Sequence, residues 1–141
     1  MNLLDVNVLR ALAWPPHVHH AAARSWFEEA SAEGWATTPL TELGFVRLSS
    51  NPSLFEDTAS PSEAAAQLLR LKQRGAHAFW PDDIEVVSGV DGWGHVLSHR
   101  HVTDARLVML ADRHNGRVAT FDRRLQARAE QHVLRIPELR G

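Results

Sequence analysis

Four acidic residues, each beside the start of a helix predicted from the sequence, are the side chains best suited to chemistry. They are Asp5, Glu42, Asp104 and Asp122. Gathering four negative charges in one place costs free energy unless a cation or shared protons relieve the repulsion. Carboxylate oxygens in a chain without cysteine suit Mg²⁺ or Mn²⁺, which keep several waters and take few protein ligands. The chemistry typical of such a site is phosphoryl transfer, or phosphodiester hydrolysis by a metal-activated water.

Two predicted strands place the first and last of these acids. Residues 2–5 have the pattern of a strand that leads into a helix, so Asp5 stands where the strand ends. Residues 117–121 have the pattern of another strand, and Asp122 follows it at once. Because the carboxyl ends of parallel strands meet at one edge of a sheet, we expect Asp5 and Asp122 to lie close together.

Helix starts place the other two acids. Asp104 begins a helix that runs to about residue 114. Glu42 lies in the first turns of a helix that is capped by Thr38 and has Pro39 at its first position. In a sheet covered by helices, such starts lie above the edge where the strands end. The pattern therefore predicts that all four carboxylates converge.

Strands alternate with helices along the chain, without a repeat or a linker. Further strands are predicted at 34–38, 78–80 and 133–136, and further helices at 9–13, 18–31, 61–74 and just after Asp122. This alternation predicts an α/β fold, a three-layer α/β/α sandwich with a central, mostly parallel sheet. We expect residues 1–141 to form a single domain.

Two of the predicted helices carry a stripe of apolar residues that we expect to be buried. The stripes are Ala22, Trp26 and Ala30 in one helix and Ala64, Leu68 and Leu71 in the other. The second helix is introduced by Ser60–Glu63, which has the spacing of a capping box with proline at the first helical position.

The acids also have a simpler interpretation. An aspartate at a helix start is often only an N-cap, whose carboxylate accepts hydrogen bonds from the free backbone N–H groups. Asp5, Asp104 and Asp122 all precede or begin helical segments, and Glu42 taken alone is typical of a solvated surface residue. Spacing leaves the cap and the metal ligand both open.

Composition excludes several classes of protein. With 44% hydrophobic and 23% charged residues, the 141-residue chain is typical of an ordinary globular protein. The absence of cysteine excludes a disulfide framework, thiol catalysis and thiolate metal sites. No stretch approaches the ~20 apolar residues of a membrane helix, and residues 1–14 lack the basic segment of a signal peptide. We expect a cytoplasmic protein with no membrane partner.

Charge is unevenly distributed although the net charge is only −2. Residues 1–99 carry twelve acidic and six basic side chains, whereas residues 100–141 carry nine arginines and five acidic side chains. A guanidinium fork suits bidentate contact with phosphate, but an arginine-rich genome composition explains the same bias. Charge alone leaves phosphate binding open.

The sequences around the four acids resemble the four acidic motifs of PIN-domain proteins. They occur in the family's order and span nearly the whole chain, at residues 3–9, 41–45, 102–107 and 120–125. The size of the chain and the arrangement of residues 18–27 are similar to the toxin ribonucleases of bacterial VapBC toxin–antitoxin pairs. The resemblance implies a compact α/β/α sandwich that cuts RNA with Mg²⁺ or Mn²⁺.

The resemblance also implies a role for each matching residue. Glu42 would bind the metal through water or orient the attacking water, and Asn7 and Thr120 would support the site by hydrogen bonding. The residues that match metal ligands are Asp5, Asp104 and Asp122. The expected reaction is in-line attack of a metal-activated water on the scissile phosphorus, which leaves a 5′-phosphate and a 3′-hydroxyl.

Two partners besides RNA follow from the resemblance, namely a second copy of the chain in a homodimer and a cognate antitoxin. The antitoxin's C-terminal segment would cover the active site. One position departs from the family pattern: the residue between Asp5 and Asn7 often carries a hydroxyl, and here it is Val6. The change removes a polar contact but no carboxylate, so it bears on tuning more than on activity.

Histidines are plentiful but lack the pattern of a zinc site. They cluster at His17, His19 and His20 and again at His95, His99 and His101. A zinc site needs three or four ligands in fixed geometry, and neither a His-Glu-x-x-His motif nor a cysteine partner is present. We interpret these histidines as surface or loop residues that carry no metal.

Two other patterns suggest nucleic-acid contacts only weakly. Trp14 and Trp93, flanked by proline or glycine, are the tryptophans best suited to stack on a base or contact a partner. Gly89, Gly92 and Gly94 do not have the spacing of a phosphate-binding loop.

Two alternative functions remain beside the ribonuclease. A haloacid-dehalogenase-like phosphatase also begins with an aspartate after its first strand, but it needs Asp-x-Asp where this chain has Asn7. Such an enzyme also needs a later lysine, and the only one here, Lys72, falls in a predicted helix. The other alternative is a catalytically silent RNA-binding or interaction module of the same fold, against which the presence of all four acids argues.

Overall fold

A computed structural model describes residues 1–54, 58–87, 93–94, 96 and 98–139. Within them, short strands alternate with helices. The strands are β1 (Asn2–Leu4), β2 (Trp35–Thr37), β3 (His77–Phe79), β4 (Arg117–Thr120) and β5 (Val133–Arg135). The α-helices are α1 (Val6–Ala13), α2 (His20–Ala30), α3 (Pro39–Ser49), α4 (Pro61–Lys72), α5 (Val102–Arg113) and α6 (Arg123–Arg128). Single 3₁₀ turns lie at Ser31–Glu33, His99–His101 and Glu130–His132.

The strands form one sheet in the order β3-β2-β1-β4-β5, and every described pair is parallel. In register, Leu3 pairs with Ala36 on one side and with Val118 on the other. The carboxyl ends of β1, β2 and β4 therefore lie side by side at one edge. The predicted α/β/α sandwich with a mostly parallel sheet is confirmed.

Both faces of the sheet are buried at its central strands β1, β2 and β4, whose buried positions are mostly apolar. Leu4 points toward a core shared with α1 to α4, whereas its neighbour Leu3 points toward α5 and α6. Both leucines are completely buried. Successive side chains of a strand point to opposite faces of the sheet, so these two adjacent residues contact the two different helical layers.

The starts of α4 and α3 have the capping residues predicted from the sequence. Ser60 and Glu63 form the predicted capping box of α4, with the Glu63 N–H donating to Ser60 Oγ at 3.1 Å. Thr38 is the N-cap residue of α3 as predicted, but its hydroxyl donates to the Trp80 carbonyl at 2.7 Å. Thr38 thereby ties the start of α3 to the chain just after β3.

The predicted stripe of α4 is buried, but the stripe predicted for α2 is partly wrong. Ala22 is buried, whereas Trp26 and Ala30 are only half-buried. Phe27 takes the central place because it packs edge-on against Trp35, with ring centroids 5.2 Å apart. The buried face is thus rotated by about one residue from the predicted one.

The two tryptophans singled out for stacking make contacts within the chain. Trp14 stacks on Phe45, with ring centroids 6.1 Å apart, and its Nε1 donates to Ser49 Oγ at 2.8 Å. Trp93 Nε1 donates to the Val86 carbonyl at 2.8 Å. The glycine and histidine patterns noted near Trp93 fall partly outside the described residues, because Gly89, Gly92 and His95 are not among them.

In the described part of the chain, no helix combines the length and the apolar character that crossing a membrane requires.

Candidate active site

Asp5 lies between the first strand and the first helix, held on both sides by backbone groups. Its N–H donates to the Ala119 carbonyl of β4 at 3.0 Å, which continues the sheet by one residue. As N-cap of α1, its Oδ1 accepts from the Val6 N–H at 2.8 Å. The carboxylate therefore stands at the edge where β1 and β4 end.

Thr120 connects Asp5 to Asp122. Its hydroxyl donates to Asp5 Oδ2 at 2.8 Å and accepts from Asn7 Nδ2 at 3.1 Å and from the Asp122 N–H at 3.0 Å. Asn7 Oδ1 in turn accepts from the Phe121 N–H at 3.3 Å. Asn7 and Thr120, the two residues predicted to support the site, thus lie in one network with Asp5.

Helix starts hold the other two aspartates in different ways. Asp122 is the N-cap of α6, and its Oδ1 accepts from the N–H groups of Arg124 at 2.8 Å and Leu125 at 3.4 Å. Asp104 lies in the first turn of α5, whose N-cap is His101. The cap interpretation therefore describes Asp5 and Asp122 but is wrong for Asp104.

Asp5, Asp104 and Asp122 act on one another electrostatically, and we call them the acidic cluster. Burial raises the pKa of Asp5 to about 6, and the negative charges of Asp104 and Asp122 add to this rise. Burial likewise raises the pKa of Asp104, and the Asp122 charge contributes to this rise, although Arg128 opposes it. Because the charged forms of these carboxyl groups are disfavoured, a cation that binds there is favoured.

One cation of the chain already contacts the acidic cluster. Arg128 Nη2 donates to Asp104 Oδ2 at 2.9 Å, and both side chains are only partly exposed. Sequence reasoning missed this pair, because α6 and α5 meet only through the packing of both helices on one face of the sheet.

Glu42 is held in a network of its own. Its Oε2 accepts from Thr37 Oγ1 at 2.6 Å and from Lys72 Nζ at 2.9 Å. The same Thr37 oxygen lies 2.8 Å from His77 Nε2. Since the Thr37 hydrogen goes to Glu42, His77 is the donor to Thr37. Glu42 thus lies beside the end of β2, one strand from Asp5, but the described contacts do not join it to the acidic cluster.

Val6, the position that departs from the PIN pattern, has a packing role. A Cβ at Gly44 would lie 2.8 Å from Val6 Cγ2, so only glycine lets α3 approach α1 this closely. The apolar Val6 fills the contact between the two helices that carry Asp5 and Glu42. Val6 therefore helps to position these two helices, and this packing does not require a hydroxyl group.

The acidic cluster fits a divalent cation that keeps much of its water. Among the described residues, no three histidine, cysteine or acidic side chains form a ready-made metal cage. Mg²⁺ does not require such a cage, because it commonly binds one or two carboxylates and several waters. The hard carboxylate oxygens and the raised pKa of Asp5 match that chemistry.

Comparison with known proteins assigns the family. The PIN domain family matches residues 3–131. The chain is 49% identical to Ribonuclease VapC39 of Mycobacterium tuberculosis over 135 residues, which cover 95% of this chain and 97% of the relative. It is 44% identical to Ribonuclease VapC38 of the same organism over 131 residues, covering 93% and 92%. The chain belongs to the VapC family of PIN-domain ribonucleases.

Solved structures agree with this VapC fold. FitAB bound to an IR36 DNA fragment matches with a TM-score of 0.64 and 19% identity, covering 100% of this chain and 99% of the other. FitAcB from Neisseria gonorrhoeae matches with a TM-score of 0.59 and 20% identity, covering 97% of each chain. At such identities these structures support the fold alone.

Membership in the VapC family confirms the expectation of an endoribonuclease of the toxin–antitoxin type. It also removes the haloacid-dehalogenase-like phosphatase from consideration. VapC ribonucleases in general depend on a divalent metal ion, in line with the chemistry of the acidic cluster.

Proposed function

We propose that the acidic cluster is the catalytic centre of a Mg²⁺- or Mn²⁺-dependent endoribonuclease. The observation that carries the proposal is that three carboxylates from separate segments lie close enough for the charges of Asp104 and Asp122 to add to the rise in the pKa of Asp5, which burial brings to about 6. Such a cluster is costly to keep ionised without a cation. We also propose that residues 1–141 act as one nuclease domain.

The three aspartates would hold the metal ion. Asp5 is fixed by Thr120 and Val6, and Asp122 by backbone N–H groups of α6, so both carboxylates are oriented before any ligand binds. Asp104 would exchange its bond to Arg128 for the metal. The bound ion would supply an acidified water and neutralise charge on the phosphate oxygens.

Glu42 would orient the attacking water or reach the metal through water. Its Oε2 is held by Thr37 and Lys72, which leaves Oε1 to bind the water. A carboxylate held on one side in this way is suited to accept a proton or a hydrogen bond in a fixed direction. In-line attack on phosphorus breaks the bond to the 3′-oxygen and leaves a 5′-phosphate and a 3′-hydroxyl.

RNA, a second copy of the chain and an antitoxin would be the partners. RNA is proposed from the ribonuclease relatives and the chemistry of the cluster. The homodimer and an antitoxin whose C-terminal segment covers the site are proposed from the VapC family pattern. The cytoplasm would then be the place of action, because the RNA substrate is found there.

Cleavage of a panel of structured RNAs tests this function. Purified protein is assayed with Mg²⁺, with Mn²⁺ and with EDTA, beside the variants Asp5→Ala and Glu29→Ala. Glu29 is an exposed acid of α2 and serves as the matched control. Metal-dependent cutting with 5′-phosphate products, lost only in Asp5→Ala, is expected. Absence of both cutting and metal binding would favour the catalytically silent module instead.

A further inference from the structure

A pocket of about 330 Å³ opens beside the acidic cluster, between α5, α6 and the turn before β5. Its apolar wall includes Val108, Met109, Leu125 and Ala129. Asp104 also lines it, so the pocket and the acidic cluster share a residue. The pocket therefore adjoins the acidic cluster at Asp104.

Arginine, histidine and aspartate side chains line the pocket beside its apolar wall. Arg128 lines the pocket and bonds to Asp104, and His101 lines the pocket as well. His132 and Asp112 also line the pocket, with His132 Nδ1 3.7 Å from Asp112 Oδ1. A guanidinium at the rim of an apolar pocket has the chemistry needed to bind a phosphate beside a flat apolar group.

We propose that this pocket binds one nucleotide of the RNA strand, adjacent to the phosphate that is cut. The base packs against Val108 and Met109, and the nucleotide's phosphate binds Arg128. This inference rests on the proposed ribonuclease function and adds a subsite to it. The pocket would thereby contribute to the choice of cleavage sequence.

Size and chemistry both fit a nucleotide. Small-molecule sites have volumes of roughly 300–1,000 Å³, with mostly apolar walls and a few polar groups that fix orientation. In a larger groove of about 520 Å³ between α3 and α4, Glu42 and Lys72 are the only charged side chains among the described lining residues. That groove offers no arginine for a phosphate, unlike the pocket at Arg128.

The test measures RNA affinity rather than cleavage. Fluorescent single-stranded RNA of random sequence is titrated, and its anisotropy followed, with Asp5→Asn protein, which binds without cutting. Met109→Trp in this background fills the pocket, and Arg128→Met removes the phosphate ligand. Ala66→Trp adds the same ring at an exposed position of α4, on the other side of the sheet, as control.

We expect Met109→Trp to weaken RNA binding about tenfold, the loss of one base contact. Arg128→Met should weaken binding and lower the slope of log affinity against log salt by about one. Ala66→Trp should bind as the parent does. Thermal unfolding by circular dichroism verifies that each variant is folded, and Arg128→Met carries the test if Met109→Trp does not fold.

Three results would overturn the inference. Folded Met109→Trp and Arg128→Met proteins that bind RNA as tightly as the parent would exclude this pocket as a subsite. A Met109→Trp protein that changes oligomeric state but keeps its RNA affinity would assign this face to a second copy. If the parent protein binds no RNA at all, the proposed ribonuclease function fails and the subsite with it.

Discussion

The Thr120 hydroxyl donates a 2.8 Å hydrogen bond to Oδ2 of Asp5, and so joins the ends of two adjacent strands. The same oxygen accepts from the Asp122 N–H, which links two members of the acidic cluster through one side chain. A strand-end residue of this kind holds a carboxylate in place before a ligand arrives, which lowers the cost of ordering it on binding.

Replacement of Thr120 by valine keeps the shape of the side chain and removes this hydrogen bond. Since the bond lowers the pKa of Asp5, its loss should raise that pKa above its present value of about 6. We expect cleavage to fall about tenfold near neutral pH and its rise with pH to move to higher pH. Rate–pH profiles check this, with Thr120→Ser as the variant that keeps the hydroxyl. An unchanged profile in Thr120→Val would contradict the role given to Thr120.

Asp5 makes the metal-free protein less stable as pH rises. Its pKa is raised from 3.8 to about 6, so between these values the folded state holds a proton that the unfolded state has lost. The free energy of unfolding therefore falls as pH rises through this window. Asp5→Asn should remove the loss and stabilise the protein by about 3 kcal/mol at neutral pH.

Urea unfolding in EDTA, at about pH 4 and about pH 7, measures this effect. Glu29→Gln, at an exposed site of α2, should keep the wild-type pH dependence. The prediction fails if Asp5→Asn and wild-type protein lose stability in parallel as pH rises.

Arg128 should compete with a metal ion for Asp104. Removing its charge by Arg128→Met frees Asp104 Oδ2 and takes away a nearby positive charge. Mn²⁺ should then bind several-fold more tightly, because less repulsion opposes the ion. Calorimetric titration of RNA-free protein with Mn²⁺ tests this. Arg124→Met, at an exposed position of the same helix, is the control, and equal Mn²⁺ affinities in the two variants would contradict the prediction.

Lys72 should support Glu42 in catalysis. Its Nζ lies 2.9 Å from Glu42 Oε2, with both side chains about a quarter exposed. Lys72→Met leaves Thr37 as the only group of the described residues that holds Glu42, so we expect cleavage to fall several-fold and stability to fall by about 1 kcal/mol. Arg70→Met, at an exposed position of the same helix, should do neither. Full cleavage activity in Lys72→Met would show that the pair does not serve the reaction.

Two arginines on α5 should differ sharply in their effect on folding. The Arg106 side chain is 8% exposed, bonds to Asp82 at 2.9 Å and donates to the Ile84 carbonyl. Arg106→Met should cost about 3 kcal/mol, because it leaves Asp82 and that carbonyl without their partner. Arg113→Met breaks only an exposed pair and should cost less than about 1 kcal/mol. Equal losses of unfolding free energy in urea would contradict this account of Arg106.

Much of the fold is predictable from local sequence patterns. Strand β1 is apolar on both faces, which is typical of a central parallel strand, and the Ser60 capping box marks the start of α4. Asp5 and Asp122 could be placed at one edge because each follows a strand directly. These features depend on residues that are close together in the chain, so they can be predicted from local sequence.

Partners distant in the chain were not predictable. Glu42 finds Lys72, and Asp104 finds Arg128, only after helices have packed on the sheet. The buried face of α2 was also misjudged, because Phe27 rather than Trp26 meets the ring of Trp35. Such choices depend on the angle at which one element packs on another, which periodicity alone does not specify.

Locating Mn²⁺ in crystals of the protein tests the central claim most directly. The claim is that Asp5, Asp104 and Asp122 hold one metal centre. An anomalous difference map should show a peak about 2.2 Å from carboxylate oxygens of this cluster, absent from crystals of Asp5→Asn. A Mn²⁺ peak away from this cluster, or no peak at Mn²⁺ concentrations that support RNA cleavage, would contradict the claim.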